Sequence, residues 1–279
     1  MSTYVISDIH GCYREFMQLL HRIKFDERKD ILYILGDIID RGPGTEEVFE
    51  WVYKRYGKCV HMCIGNHEEL FCDFVHFRES ELATQKIMKK YKQSQLDISW
   101  VLTSDLEGEV KEELLYYHNY IETGKADSYD KYGTIAQLEE NGKNMKYLKK
   151  MRKFFEELPY YFELTVDDVE FYLVHAYISE PVEECSKEDM LWSRAYPDGK
   201  PGVPDKVVIF GHTPTTGARY NGIGGVAVQK FEENNSITVN IDCGCCWRFE
   251  KSKLALLRLD DLKVFYSNIN KNKFVMEVL

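Results

Sequence analysis

Six polar side chains of this sequence have the chemistry to bind a pair of divalent cations. Each lies within four residues after a run of apolar residues typical of a β-strand. The six are Asp8, His10, Asp37, Asn66, His175 and His212. Oxygen and imidazole ligands suit Mn²⁺, Fe or Zn²⁺. A shared carboxylate such as Asp37 could bridge two ions about 3.5–4 Å apart, an arrangement used for phosphoryl hydrolysis.

Each of these residues, taken alone, has an ordinary structural explanation. A single His175 after a buried strand would more often be a hydrogen-bonded core histidine than a ligand. Asp8, Asp37 and Asn66 could be turn residues or helix caps. Their joint occurrence at strand ends is what favours a metal site. No cysteine occupies these positions, which argues against a structural zinc site.

The elements around the first ligands alternate between strand and helix. The apolar patterns predict strands over residues 4–6, 31–35 and 59–64 and helices over 13–23 and 45–56. Asp8, Asp37 and Asn66 follow the strands at intervals of 29 residues, about one βαβ unit. They therefore lie at the carboxyl edge of a mostly parallel sheet, where α/β proteins bind ligands.

The pattern changes in the middle of the chain. Lys and Glu dominate from about residue 74 to 155, which predicts a mainly helical insertion at about 74–155 whose charged faces are solvated. Strand signals then return at 160–166, 169–174 and 207–210, with a turn at Asp167-Asp168. Further strands are predicted over 236–241, 254–259 and 263–266. We expect these last strands to form a second, antiparallel sheet.

The expected architecture is therefore a single α/β domain over residues 1–279, with two sheets and flanking helices as a four-layer α/β/β/α sandwich and a helical insertion. The strand ends carry a series of short motifs. In chain order they are Asp8-Ile9-His10-Gly11, Gly36-Asp37-Ile38-Ile39-Asp40-Arg41-Gly42, Gly65-Asn66-His67-Glu68, His175 and Gly211-His212-Thr213-Pro214. This series resembles the phosphoprotein phosphatase family of calcineurin-like metallophosphoesterases. The resemblance covers nearly the whole chain and fails only across the insertion.

The resemblance implies a role for each ligand. Asp8 and His10 would hold the first ion, and Asp37 would bridge to the second. Asn66, His175 and His212 would complete the second ion's ligands. A water between the ions would lose its proton, and the hydroxide would attack phosphorus in line, so that no phospho-enzyme is required.

The resemblance also implies residues that act on the substrate. His67 would be the general acid and Asp40 would orient its imidazole. Arg41 would bind phosphate oxygens, together with Asn66, and the Leu191-Trp192-Ser193-Arg194 segment would supply Arg194 as a second phosphate-binding arginine. Both arginines have an alternative as surface or ion-pairing residues, and His67 could cap a helix.

Two substrates fit this centre, because the bacterial members that the chain resembles include small serine/threonine phosphatases and symmetrical dinucleoside tetraphosphate hydrolases. We favour metal-dependent hydrolysis of phosphomonoesters by a serine/threonine phosphoprotein phosphatase, because of Arg194 and its segment. The alternative is a symmetrical dinucleoside tetraphosphate (Ap4A) hydrolase. A catalytically inactive relative is disfavoured since every expected ligand is present. The net charge of -10 counts against a nuclease or a general nucleic-acid binder.

Composition and patterning set the remaining expectations. Two divalent metal ions are the expected cofactors, with Mn²⁺ favoured and Fe or Zn²⁺ as alternatives. The expected partner is a phosphorylated protein or a small phosphate ester. The sequence has no run of about 18 uncharged apolar residues and no secretory leader pattern. The eight cysteines then suit reduced thiols in a cytoplasmic enzyme, and the one CxxC, Cys243–Cys246, is read as small residues at a strand end.

Overall fold

The structure is a computed structural model, and it describes residues 1–123, 129, 133–194, 200–267 and, for the backbone alone, 275–278. Contacts within the chain divide it into two compact units. The first unit combines Met1–Glu68 with Phe154–Leu279, and the second is Glu69–Lys153.

The first sheet is built around three parallel strands. They are β1 (Thr3–Ile6), β2 (Ile31–Leu35) and β3 (Val60–Cys63), with helix α1 (Tyr13–Arg22) after β1 and α2 (Thr45–Arg55) after β2. Three antiparallel strands continue the sheet beyond β1. They are β9 (Ala255–Arg258), β10 (Lys263–Tyr266) and β11 (Val275–Val278). The strand order is β11-β10-β9-β1-β2-β3.

The second sheet has the order β4-β5-β6-β8-β7. Its strands are β4 (Tyr161–Val166), β5 (Val169–Val174), β6 (Val207–Phe210), β7 (Ala227–Phe231) and β8 (Ser236–Asn240). β4 and β5 form the predicted hairpin, whose turn residues Asp167 and Asp168 have φ of 47° and 63°. β5, β6 and β8 run parallel, so that their carboxyl ends share one edge.

The main core lies between the two sheets. Val5, Leu35 and Leu257 of the first sheet and Phe171 and Ile209 of the second are all at most 1% exposed and belong to one hydrophobic cluster. A second cluster covers the other face of the second sheet and includes Met190 of helix α8 (Lys187–Trp192). The first two helices pack on each other through Phe16 and Trp51. Two sheets with flanking helices confirm the expected α/β sandwich.

The expectation for the last strands was wrong for two of the three, because only β8 lies in the second sheet, where it is antiparallel to β7. Residues predicted at 254–259 and 263–266 form β9 and β10, which pair with β1 in the first sheet, while β8 lies in the second sheet parallel to β6. Strands β7 and β11 were not predicted from the sequence. An apolar pattern indicates that a strand is buried, but it does not say which of two facing sheets the strand joins.

The second unit is helical in its described part. Helix α3 (Asn66–Lys90) begins in the first unit, and α7 (Met145–Glu156) ends there. Between them lie α4 (Ile98–Thr103), α5 (Gly108–Glu122) and α6 (Thr134–Glu140). Residues 124–128 and 130–132 of the predicted insertion lie outside the described residues. A single domain with its insertion at 74–155 stays a prediction.

Among the described helices, none combines the length and the apolar character that crossing a membrane would require.

Candidate metal centre

The six predicted ligands converge because they follow the carboxyl ends of five strands. Asp8, Asp37 and Asn66 follow β1, β2 and β3, and His175 and His212 follow β5 and β6. All six are at most 7% exposed. Four of the six, together with His67, supply two groups of possible ligand atoms, and the atoms of each group lie within 4.8 Å of one another. One group is His10, Asp37 and His67, and the other is Asp37, His175 and His212.

The first group faces one oxygen of Asp37. Nε2 of His10 lies 3.4 Å from Oδ2 of Asp37 and 3.9 Å from Oδ1 of Asp8. Nδ1 of His10 donates to the carbonyl of Ile39 at 2.8 Å. This hydrogen bond fixes the tautomer and leaves Nε2 with the lone pair that a metal ion needs.

The second group faces the other oxygen of the same carboxylate. Nε2 of His175 lies 3.6 Å from Oδ1 of Asp37 and 2.8 Å from Oδ1 of Asn66. Nδ1 of His212 lies 3.1 Å from the same Asn66 oxygen. Nδ1 of His175 donates to the carbonyl of Leu35 at 2.8 Å, so its Nε2 is again the free ligand atom.

The charge state of these groups fits a pair of cations. Burial, Glu68 and Asp8 all raise the pKa of Asp37, because several carboxylates are crowded into one buried place. Burial lowers the pKa of His10, and it lowers that of His212 to about 2, so both rings are neutral as metal ligation requires.

One atom is left over in this network. Nε2 of His212 is buried and has no hydrogen-bond partner within the described part of the chain. A buried polar atom of this kind is costly unless a further ligand satisfies it. The donor set and this atom together fit divalent metal ions.

The backbone around the centre is strained. Six of the predicted site residues have positive φ, a region that non-glycine residues rarely adopt. They are Asp8 (50°), His10 (45°), Asp37 (52°), Asp40 (68°), Arg41 (66°) and His212 (64°). The buried Glu68 carboxylate holds the backbone that follows β2 and β3, because it accepts the N–H groups of Asp37, Ile38 and Gly65 at 2.7, 2.9 and 3.0 Å.

Glycine is needed at Gly211 because of a close approach. A Cβ there would lie 2.0 Å from Oδ2 of Asp8 and 2.1 Å from Oγ of Ser7. Both distances are far inside van der Waals contact, so any side chain would displace Asp8. The N–H of His212 donates to the same Asp8 oxygen at 3.0 Å. This contact joins the ends of β1 and β6, one from each sheet.

His67 and Asp40 form a buried pair beside the first group. Nδ1 of His67 donates to Oδ2 of Asp40 at 2.5 Å, and Nε2 lies 2.9 Å from Nη2 of Arg41. Burial, Arg41 and His175 lower the pKa of His67, whereas the hydrogen bond to a carboxylate favours the imidazolium. Nε2 is also 4.0 Å from Oδ2 of Asp37, so the geometry allows His67 as a ligand as well as an acid.

The two predicted phosphate-binding arginines both reach the rim of the centre. Arg41 is exposed, and its Nη1 lies 2.7 Å from Nε2 of His10. Nη1 of Arg194 donates to the carbonyl of His212 at 3.3 Å. Burial and the neighbouring charges of Arg219 and Arg41 lower the pKa of Arg194.

Sequence reasoning missed several residues of this site. Asp242 is 4% exposed and its Oδ1 accepts the N–H of Gly244 at 2.8 Å. Burial and Asp8 raise the pKa of Asp242, which adds a further carboxylate to the crowd. Asp242 comes two residues after the end of β8. The search for polar residues at strand ends, which led to the six predicted ligands, could have included it. Glu68 and Arg219 carried no comparable signal of their roles.

Comparisons with known proteins identify the family of this chain. The family model for calcineurin-like phosphoesterase matches residues 1–241. A symmetrical bis(5'-nucleosyl)-tetraphosphatase of Buchnera aphidicola subsp. Schizaphis graminum is 27% identical over 293 residues, covering 98% of this chain and 99% of that protein. A symmetrical bis(5'-nucleosyl)-tetraphosphatase of Citrobacter koseri is 47% identical over 68 residues, 24% of each chain.

A solved protein serine/threonine phosphatase from Saccharomyces cerevisiae superposes with a TM-score of 0.49 at 13% identity, over 100% of this chain and 79% of that one. The family match covers most of the chain and includes all six predicted ligands. The resemblance inferred from the motifs is thereby confirmed. The chain belongs to the calcineurin-like phosphoesterase family and is a metal-dependent phosphoester hydrolase.

Proposed function

We propose that this enzyme hydrolyses symmetrical dinucleoside tetraphosphates. Two arginines, Arg41 and Arg194, reach the rim of the centre, where a chain of phosphates offers oxygens to both. The observation that carries the proposal is a sequence match over 98% of this chain and 99% of the related protein. The relative that matches over nearly its whole length carries the same activity in its name.

The ligand assignment is part of the proposal. Asp8 and His10 would hold one ion, and Asp37 would bridge to the second. Asn66, His175 and His212 would complete the ligands of the second ion. When bound, two such ions acidify a water and act as Lewis acids on phosphate oxygens. Mn²⁺, with Fe or Zn²⁺ as alternatives, and a cytoplasmic location stay predictions from the sequence.

The other side chains would bind and orient the substrate. Arg41 and Arg194 would hold oxygens of the inner phosphates, with Asn66 beside them, so that the scissile phosphorus faces the metal ligands. The water oxygen would bond to one of the two central phosphorus atoms, while the bond from that phosphorus to the oxygen between the two central phosphates breaks. The products are two nucleoside diphosphates. His67, oriented by Asp40, would donate a proton to the departing oxygen.

A phosphoprotein or small phosphomonoester substrate is the second candidate, and it is the one that the sequence favours. The buried His67–Asp40 pair supports it. A serine or threonine alkoxide is a poor leaving group that needs a proton, whereas a nucleoside diphosphate leaves readily as an anion. Arg41 and Arg194 would be sufficient for a single phosphate.

A substrate panel separates the two candidates. Purified enzyme, reconstituted in turn with Mn²⁺, Fe²⁺ and Zn²⁺, is assayed on diadenosine tetraphosphate and on a phosphoserine peptide. We expect kcat/KM to be higher for the dinucleotide, with ADP as the sole nucleotide product. A higher value for the peptide would refute the proposal in favour of the phosphatase. AMP plus ATP as products would refute symmetrical cleavage.

Arg194→Ala is expected to weaken substrate binding. Loss of a charge-assisted hydrogen bond costs roughly 1.5–3 kcal/mol, so KM for the preferred substrate should rise by roughly one to two orders of magnitude. The change in kcat should be smaller, because Arg194 is not placed on the departing oxygen. Steady-state kinetics measures both values. Arg14→Ala removes an exposed arginine of α1 and is the matched control. An unchanged KM in Arg194→Ala would refute its phosphate-binding role.

A further inference from the structure

Two of the four tryptophans are exposed, and each lies beside one of the candidate phosphate-binding arginines. Trp247 is 46% exposed, and the guanidinium carbon of Arg41 lies 4.9 Å from its ring centroid. Trp192 is 37% exposed and precedes Arg194 by two residues. Its ring centroid is 6.0 Å from that of His212. Large exposed apolar side chains at a binding rim indicate contact with a ligand.

Trp247 has a second exposed aromatic side chain next to it. Phe249 is 57% exposed, and the two rings are nearly parallel, with 7° between their planes and 6.3 Å between their centroids. Two exposed, nearly parallel rings therefore lie next to Arg41. Exposed aromatic rings stack on nucleobases, and every base has a π-face to offer.

The loop that carries this aromatic pair is held in place. Gly244 has φ of 66°, and a Cβ there would lie 2.3 Å from Oγ1 of Thr216. Arg248 has φ of 53°, and its Nη1 lies 3.4 Å from Oε1 of the buried Glu15. The N–H of Phe249 donates to Oγ of Ser252 at 3.0 Å. A loop fixed in this way presents its rings with little further loss of entropy on binding.

The two tryptophans border different ligand groups. Trp247 contacts Arg41, whose guanidinium lies within 2.9 Å of both His10 and His67 of the first group. Trp192 contacts His212 of the second group. Both groups share Asp37. Each side of the centre therefore has one arginine and one exposed indole.

We propose that Trp192 and Trp247, the latter with Phe249, are stacking positions for the two nucleobases of a dinucleoside polyphosphate. This inference rests on the proposed function and names the part of the substrate that the metal centre does not touch. The phosphate chain would lie across the arginines, and each base would stack on the indole at its own end. The two indoles would make a substrate with two bases bind more tightly than the same phosphate chain without bases.

The test compares a substrate with bases and one without. For Trp247→Ala and Trp192→Ala, kcat/KM is measured on diadenosine tetraphosphate and on inorganic tripolyphosphate. Stacking contributes roughly 1–3 kcal/mol per base, so we expect the ratio of the two values to fall by roughly 5- to 150-fold, mainly through KM. Trp247→Phe and Trp192→Phe should restore most of the ratio. Val169→Ala, an exposed apolar residue at the opposite end of β5, is the control.

A binding measurement without turnover keeps the inference separate from the proposed function. ADP, a product, should quench tryptophan fluorescence of the metal-loaded protein more than inorganic pyrophosphate does, and the difference should shrink in both alanine variants. If diadenosine tetraphosphate is not hydrolysed but this difference is present, the proposed function fails and the stacking positions stand. An unchanged substrate ratio, or equal responses to ADP and pyrophosphate, would overturn the stacking positions.

Discussion

Asp37→Asn is expected to lower turnover of any substrate by roughly 10³-fold or more, because it weakens both metal ions at once. The two oxygens of Asp37 face different partners, Oδ2 at 3.4 Å from Nε2 of His10 and Oδ1 at 3.6 Å from Nε2 of His175. An amide has the same shape but no charge and one oxygen. Metal analysis of the purified variant, together with kinetics at saturating Mn²⁺, measures both effects.

The fold should survive this substitution. Burial, Glu68 and Asp8 already raise the pKa of Asp37, so removing its charge relieves repulsion in the metal-free protein. We expect the melting temperature without metal to stay equal or to rise, and the gain in melting temperature on adding metal to be lost. Asp168→Asn, in the β4–β5 turn, is the matched control. Normal metal content with normal turnover in Asp37→Asn would refute the bridging assignment.

The sequence was sufficient to predict that these residues converge, because each of them follows the end of a strand. Asp8, Asp37 and Asn66 each follow an apolar strand, and parallel strands bring such positions to one edge. The same argument needed no knowledge of which sheet holds β5 or β6. His175 and His212 reach the centre from the second sheet, and the contact between His212 N–H and Asp8 joins the two edges.

Other features depend on packing that no local pattern encodes. The pairing of β9 with β1 buries Leu256 and Leu257, and the same apolar residues would be equally buried in the second sheet. Glu68 was visible only as the last residue of a motif. Its carboxylate holds three backbone N–H groups, and one of them is 31 residues away along the chain. Such long-range hydrogen bonds follow from the fold and not from residue type.

The placement of Trp247 illustrates a further limit. In the sequence it follows a cluster of cysteines and has no apolar periodicity around it. Its exposure results from the turn between Gly244 and Arg248, both of which have left-handed φ. The structure describes all eight cysteines and none of them forms a disulfide bond, and Sγ of Cys246 lies 3.9 Å from Nη1 of Arg41. The turn therefore places Trp247 next to Arg41, which the expectation of small residues at a strand end did not indicate.

His67→Asn should separate a general acid from a metal ligand. Nδ1 of His67 donates to Asp40 at 2.5 Å, and this leaves Nε2 facing the rim. If His67 donates the proton, the variant should keep both metal ions. It should lose roughly 10²–10⁴-fold in kcat on a phosphoserine peptide, whose leaving group is an alkoxide. The loss on p-nitrophenyl phosphate should be much smaller, because nitrophenolate leaves readily without a proton.

The alternative role gives a different result in the same experiment. Nε2 of His67 also lies 4.0 Å from Oδ2 of Asp37, within the group that contains His10. Were His67 a ligand, His67→Asn would lose one ion, and the rate would fall equally on both substrates. His61→Asn, a partly buried histidine of β3, controls for the substitution itself. Diadenosine tetraphosphate also has a good leaving group, so its rate should fall little in His67→Asn if His67 is an acid, and as much as that of the peptide if His67 is a ligand.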